Sequence, residues 1–267
     1  MKKIAFVLAF LVLLVGVWKV ASSSRLHSWW EDRQKAKLPQ AEVANLNTTF
    51  NVNIVANTNT AVNTNSVTPL PAEKNLAVPF TSQAPKGVWD ADHEEFCEES
   101  AVAMAGRFFQ GKKFTSTDDA DDALFALKDW EIDHLGFFFD TTAAETAQMA
   151  EGIYGVKVTL KVNPTVTDIK RAIADGHVVI VPAAGRELGN PNFTAPGPIY
   201  HNLVVRGYTK DGKFITNDPG TRKGEAYVYD QDIVMSAMHD WVPNGARTTA
   251  ANGTADGRKV VLIVSAT

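Results

Sequence analysis

The apolar pattern of this 267-residue chain changes its period once, near residue 155, and that change limits the folds open to it. Upstream, apolar residues recur every three to four positions, which is typical of helices with one buried face. Downstream, Val156, Val158, Leu160 and Val162 alternate with polar neighbours, as in a half-buried strand. Helices first and strands later predict an α+β domain.

Three helices are predicted before the change. One begins at Cys97 and ends before Gly111, the second includes residues 117–122, and the third opens with the capping box from Thr142 to Glu145. The acidic run 117–122 could instead be a calcium loop, but it lacks the glycine and the final glutamate of an EF-hand. Acidic residues suit the first turn of a helix, so we interpret the run as a helix start.

After the change, strands dominate. The hairpin turn at Asp211-Gly212 is predicted to join a strand that begins at His201 to the strand at 213–217, and Asp230 is predicted to cap a helix at 231–239. The other predicted elements are strands at 156–162, 178–181, 225–229 and 260–264, a helix at 167–175 and a long loop at 185–198.

The N-terminal residues predict an export signal. Lys2 and Lys3 precede an apolar run at 4–17, and small residues follow it. The run is shorter than a full membrane span, yet Val20 and Ala21 extend it past Lys19. We therefore expect residues 1–24 to be a cleaved signal peptide or an uncleaved membrane anchor, and both would place the rest of the chain outside the cytoplasm.

Two segments separate this signal from the globular domain. The stretch 25–37, with Trp29 and Trp30, is either a helix at the membrane interface or a solvated stub. The tract 45–71 is rich in Asn and Thr, and such a composition does not bury enough apolar surface to offset the entropy of ordering. We expect 25–75 to be a juxtamembrane segment and flexible linker, and 76–267 to be the folded domain.

Charge and cysteine content exclude several classes of function. The net charge is −4 and no basic stripe is present, which argues against nucleic acid as a dedicated partner. A single cysteine excludes an intramolecular disulfide and a multi-cysteine zinc site. A helix that began earlier would place His93 and Cys97 on one face, with Glu94 or Glu98 as a further metal ligand, but no second His/Cys pair completes the set. We predict no metal and no cofactor.

Cys97 is the leading candidate for chemistry. At a helix N-terminus, free N–H groups and the helix dipole stabilise a thiolate, which predicts a depressed pKa for this thiol. A small buried hydrophobe is the alternative. His201 opens an apolar strand after a loop, and Asp218 lies one hairpin further along, where its carboxylate can fix the imidazole tautomer.

Three motifs carry a family resemblance. They are Ser-Gln-Ala-Pro-x-Gly-x-Trp before Cys-Glu-Glu, then Gly-Pro-x-Tyr-His-Asn-Leu-Val-Val-x-Gly-Tyr, then Ile-Thr-Asn-Asp-Pro-Gly-Thr. From Leu76 to the C-terminus the chain resembles the stand-alone relatives of the double-glycine leader (bacteriocin-processing) peptidases, in the papain-like cysteine peptidase superfamily. The family's Cys-Gly is Cys97-Glu98 here.

The resemblance implies a papain-like fold, in which N-terminal helices carry the cysteine and a C-terminal antiparallel sheet carries the histidine and aspartate. It implies Cys97 as nucleophile, His201 as base and acid, Asp218 as its orienting partner, and Gln83 as an oxyanion donor with the Cys97 backbone N–H. It also implies a peptide or protein substrate.

The expected function is thus an exported or membrane-anchored thiol hydrolase, a cysteine peptidase. Two alternatives stay open. The same site could hydrolyse or transfer amides of the cell wall, because a fold does not specify a substrate. The domain could also be an inactive peptide-binding module, because Glu98 and Glu99 beside Cys97 oppose thiolate formation.

Overall fold

A computed structural model describes residues 24–44, 69–247 and 252–267. The chain divides into two compact units, residues 1–38 and 39–267. In the first, helix α1 (Ser24–Lys35) places the Arg33 guanidinium 4.4 Å from the ring centroid of Trp29. Among the described residues, no helix combines the length and apolarity needed to cross a bilayer. The apolar run 4–17 and nearly all of the Asn/Thr-rich tract lie outside the described residues.

The second unit contains the predicted helices, and their ends follow local capping chemistry. Thr142 and Glu145 form the predicted capping box, each side chain bonded to the other residue's backbone N–H. The predicted Asp230 cap is wrong, because its carboxylate pairs with Lys213 at 2.5 Å and makes no cap bond. The helices are α2 (Cys97–Phe109), α3 (Thr117–Leu135), α4 (Ala143–Tyr154), α5 (Val166–Ala174) and α6 (Gln231–Ala237).

Seven antiparallel strands form the main sheet of the described part of the chain. The strands are β1 (Lys74–Asn75), β2 (Lys157–Val162), β3 (Val178–Ala184), β4 (Tyr200–Tyr208), β5 (Lys213–Asn217), β6 (Tyr227–Asp230) and β9 (Val260–Ser265). Their order is β2-β9-β3-β4-β5-β6, and β1 pairs with β4. A separate hairpin, β7 (Val242–Pro243) with β8 (Gly253–Thr254), was not predicted. The α+β class is confirmed.

The core lies between the sheet and the helices, and it positions the N-terminus of α2. Helix α2 packs on β3 and β4. Its Ala101, Ala103 and Ala105 side chains are almost completely buried, so the helix approaches the strands closely. Fully buried residues such as Leu203 on β4 each contribute about 1.5–3 kcal/mol of hydrophobic stabilisation. Cys97 in the first turn of α2 and Tyr200 at the start of β4 line the same cavity.

Residues 39–42 and 74–75 of the segment assigned to the linker contact the folded domain. The Glu42 N–H donates to the Asn75 carbonyl at 2.8 Å, and the Ala77 N–H donates to the Glu42 carbonyl at 2.6 Å. The Asn75 amide donates to the Pro39 carbonyl at 2.9 Å. These backbone groups are thus paired in the way that strand edges require. The boundary at residue 76 stays a prediction.

Candidate active site

Cys97 is the first residue of α2 and lines a cavity of about 770 Å³. Its side chain is 5% exposed, and its Sγ donates to Glu98 Oε2 at 2.8 Å. Its backbone N–H donates to the Glu95 carbonyl at 3.0 Å. No side-chain cap satisfies the N-terminus of α2, which preserves the positive end of the helix dipole near the thiol.

The predicted depression of the Cys97 pKa is wrong. Burial, followed by the charge of Glu98 and its hydrogen bond, raises the pKa of the thiol well above its usual range. A helix N-terminus contributes about 0.3–2 kcal/mol to an adjacent anion. Taking a thiolate out of water beside acidic groups costs more than that. The resting residue is therefore a protonated thiol.

His201 and Asp218 form the predicted pair, completely enclosed by the protein. The imidazole Nε2 donates to Asp218 Oδ1 at 2.8 Å, and the two side chains are 1% and 0% exposed. Asp218 also accepts hydrogen bonds from the Tyr229 hydroxyl (2.6 Å), the Asn190 amide (3.0 Å) and the Gly220 N–H (3.0 Å). Although burial acts in the opposite direction, the charge and hydrogen bond of His201 and the hydrogen bonds from Tyr229 and Asn190 lower the pKa of Asp218. The pair is thus an ionised carboxylate holding an imidazole.

Sheet register explains why these two residues meet. Val204 pairs with Asn217, so the end of β5 runs beside the start of β4, and Asp218 follows directly. The Phe193 ring packs edge-on against His201 with centroids 5.3 Å apart. A Cβ on Gly220 would lie 2.9 Å from His201 Cε1, so only a residue without a side chain fits there.

Sequence reasoning missed Asn190 and Tyr229. Asn190 lies in the loop predicted at 185–198, and Tyr229 lies on β6, opposite Phe214 of β5. Both are buried and bonded to each other as well as to Asp218. No local pattern distinguishes them from ordinary loop and strand residues, because their role depends on contacts across the sheet.

Gln83 lies in the same cavity as Cys97, and its loop is joined to the Asp218 turn. The Gln83 backbone N–H donates to the Pro219 carbonyl at 3.0 Å. Its side-chain Nε2 donates to the carbonyls of His93 (2.8 Å) and Glu94 (3.0 Å). Both amide hydrogens are therefore used within the loop, as is the Cys97 N–H. An oxyanion bound there would have to replace at least one of these bonds.

His93, the competing histidine, is committed elsewhere. Its Nδ1 lies 2.6 Å from Asp90 Oδ1, and its Nε2 lies 2.8 Å from Asp121 Oδ1. Burial opposes protonation, but hydrogen bonds to Asp121 and Asp90 outweigh it and raise the pKa of His93. Neither ring nitrogen is left for the thiol or for a metal. No group of three His, Cys, Asp or Glu side chains in the described residues could hold a metal ion.

Acidic side chains surround the thiol. Burial, then the charge of Glu94, raises the pKa of Glu95 to about 7, and burial, then the charge of Glu95, raises the pKa of Asp140 to about 8. Burial also raises the pKa of Glu98, Glu99 and Glu131. Carboxyl groups in such surroundings keep their protons to a higher pH than exposed carboxyl groups do.

The rest of the cavity has a mixed character. Trp89, Phe193 and Ile199 supply apolar surface, and Arg222 and Lys223 supply positive charge on the segment that follows the Asp218 turn. A cleft of this size, with apolar surface and a few polar groups beside a thiol, can hold a short peptide.

Comparisons with known proteins identify the family of the chain. The model of the Peptidase_C39 like family matches residues 75–248. A solved structure from Bacillus anthracis described as a C39-like peptidase is similar, with 12% identity, 71% of this chain and 95% of that chain covered, and a TM-score of 0.43. No curated protein sequence matches the chain. The family indicates a peptidase of the cysteine class with a peptide or protein substrate, as the resemblance implied. The chain belongs to the Peptidase_C39 like family.

Proposed function

We propose that this protein is a cysteine peptidase in which Cys97 is the nucleophile and His201 exchanges protons with it. The observation that best supports this proposal is the hydrogen bond of 2.8 Å between His201 Nε2 and Asp218 Oδ1. It fixes the neutral imidazole in the tautomer with hydrogen on Nε2, which leaves Nδ1 as the acceptor for a thiol proton. Cys97 and the two residues packed against the imidazole, Phe193 and Gly220, line one cavity.

The chemistry follows from these positions. His201 Nδ1 removes the thiol proton, and Cys97 Sγ attacks the peptide carbonyl carbon to form an oxyanion intermediate. Collapse breaks the C–N bond, and the imidazolium protonates the departing amine. Water, deprotonated by His201, then hydrolyses the thioester. Gln83 and the Cys97 N–H supply oxyanion donors once their bonds to the carbonyls of residues 93–95 open.

An inactive peptide-binding module is the second candidate, and one observation favours it. The Cys97 thiol is protonated and buried, and both oxyanion donors are engaged within the protein. Binding of a peptide would need none of these groups to change partners.

We also propose that the domain lies outside the cytoplasm, anchored or secreted. The basis is the order of Lys2 and Lys3, the apolar run 4–17 and the polar segment after it.

Labelling with a peptide vinyl sulfone, followed by mass spectrometry, tests the function. We expect an adduct on Cys97, and hydrolysis of a peptide library that disappears in Cys97→Ala. His201→Ala should lower the rate by about 10²–10⁴, the usual contribution of a general acid–base. His177→Ala is the matched control and should react like the wild type.

Two other outcomes would replace the proposal. A protein that binds peptides but forms no adduct and releases no product is the binding module. Release of products from peptidoglycan fragments only, with no peptide of the library cleaved, would identify a cell-wall amide hydrolase.

A further inference from the structure

The Glu98 carboxyl is the immediate hydrogen-bond partner of the proposed nucleophile, and this inference rests on the proposed function. Its Oε2 lies 2.8 Å from Cys97 Sγ, and the residue is 2% exposed. Its other oxygen, Oε1, is buried and has no hydrogen-bond partner among the described residues. A carboxyl group in contact with the reacting sulfur influences every step in which that sulfur gains or loses charge.

The surroundings of Glu98 decide its protonation state. The ionisable groups that face it are all acids: Cys97 and Glu99 on its own helix, Glu131 on α3, Asp140 before α4 and Tyr200 on β4. Arg247, the base whose charge acts on Asp140 and Glu131, is paired with Glu145. A carboxylate buried among acids, with one oxygen unpaired, would be costly, so the group stays neutral.

We propose that Glu98 is a further catalytic residue, a neutral carboxylic acid that donates a hydrogen bond to the Cys97 thiolate. At 2.8 Å, the single hydrogen between Sγ and Oε2 can belong to either group. When His201 removes the thiol proton, the carboxyl keeps its own proton and directs it to the sulfur. No net proton is lost from Glu98, and the charge created is one thiolate and one imidazolium.

In this role Glu98, which stands where the family has glycine, favours the thiolate rather than opposing it. An ionised Glu98 would oppose the thiolate by charge repulsion. A neutral Glu98 instead supplies a charge-assisted donor inside a buried site, where such bonds are strong. Once His201 has taken the thiol proton, this donor would stabilise the thiolate that burial disfavours.

The rate of Cys97 alkylation by iodoacetamide tests the proposal without any peptide substrate. Glu98→Gln keeps a donor of the same shape without a titrating proton, and we expect its rate near neutral pH to stay within about threefold of the wild type. Glu98→Ala removes the donor and should react about 10- to 100-fold more slowly, as expected for a lost hydrogen bond to a charged group. In alkaline solution Glu98 ionises, so the Glu98→Gln protein should overtake the wild type.

Other orders of the alkylation rates would overturn the proposal. If both variants react faster than the wild type, Glu98 carries a negative charge. If Glu98→Gln is as slow as Glu98→Ala, the carboxylate acts as a base instead. Should Glu98→Ala fail to fold in a thermal melt, the rate for Glu98→Gln decides by itself. Glu187→Gln, which changes an exposed glutamate outside the cavity, is the control and should leave the rate unchanged.

The outcome is separable from that of the proposed function. If the alkylation rates follow the predicted order but no peptide is hydrolysed, Glu98 remains the hydrogen-bond donor to the thiolate and the peptidase function is rejected. If peptides are hydrolysed but the order of alkylation rates is reversed, the peptidase function stands and the proposed role of Glu98 is rejected.

Discussion

Replacing Glu95 by glutamine should stabilise the protein in alkaline solution and leave its stability unchanged in acid. Glu95 is half-buried at the cavity, and burial, then the charge of Glu94, raises its pKa from 4.5 to about 7. Between these values the folded protein holds a proton that the unfolded chain has released. Stability therefore falls as the pH rises through this window, because the unfolded state binds fewer protons.

The size of the effect follows from the same two values. A change of one in a pKa corresponds to about 1.4 kcal/mol, so ionised Glu95 costs the folded state about 3 kcal/mol above pH 7. Solvent at the exposed edge of the side chain screens part of this, which leaves about 2–3 kcal/mol. Removing the charge also eases ionisation of Asp140, whose pKa Glu95 helps to raise to about 8.

Urea unfolding of both proteins at about pH 4.5 and about pH 8.5 measures the free energies of unfolding. We expect equal values at the lower pH and a gain of about 2–3 kcal/mol for Glu95→Gln at the higher pH. Glu187→Gln, which changes an exposed glutamate outside the cavity, is the control and should change stability by less than about 0.5 kcal/mol. Equal stabilities of the wild type and Glu95→Gln at the higher pH would refute the reasoning, as would an equal gain in the control.

Four further outcomes are expected. Asp218→Asn should lower both stability and the rate of peptide hydrolysis. The new amide NH₂ would face donors such as Asn190 Nδ2, which need an acceptor. An unchanged urea midpoint would contradict this. His93→Ala should keep the thiol alkylation rate but lose about 1–3 kcal/mol of stability. This destabilisation should have its full size below pH 6.5 and should disappear as the pH rises through the raised pKa of His93 in the folded protein. A destabilisation that does not change with pH would contradict this. A chain beginning at Lys74 should unfold cooperatively but about 1–2 kcal/mol less stably than the full chain, since it lacks the two Glu42 backbone bonds; a broad melt would contradict this. Protease added to intact cells should degrade the domain, and complete protection would place it inside.

Local chemistry made much of the fold predictable. The change of apolar period near residue 155 separated helices from strands, the Thr142 capping box marked the start of α4, and Asp211-Gly212 marked the hairpin turn. These signals depend on residues within a few positions of one another. The family resemblance singled out His201 and Asp218 as a pair in the same way, from two short motifs.

The order of the strands in the sheet and the contacts between distant residues could not be predicted from local patterns. The last strand, β9, pairs with both β2 and β3, so it lies inside the sheet rather than at its edge. Asn190 and Tyr229 reach Asp218 only because the loop and β6 fold over the same turn. Nothing in their local sequence specifies these partners, since pairing between distant segments is selected by the packing of the whole domain.

The chemistry around Cys97 shows the same division. The sequence by itself determined that a thiol opens a helix and that two glutamates follow it. Only the tertiary structure decided that α2 is covered on all sides, that Glu131 and Asp140 join the glutamates, and that both ring nitrogens of His93 are occupied. The sign of a pKa shift depends on burial and on charges from other elements, and the helix dipole that the sequence reveals is the smaller effect.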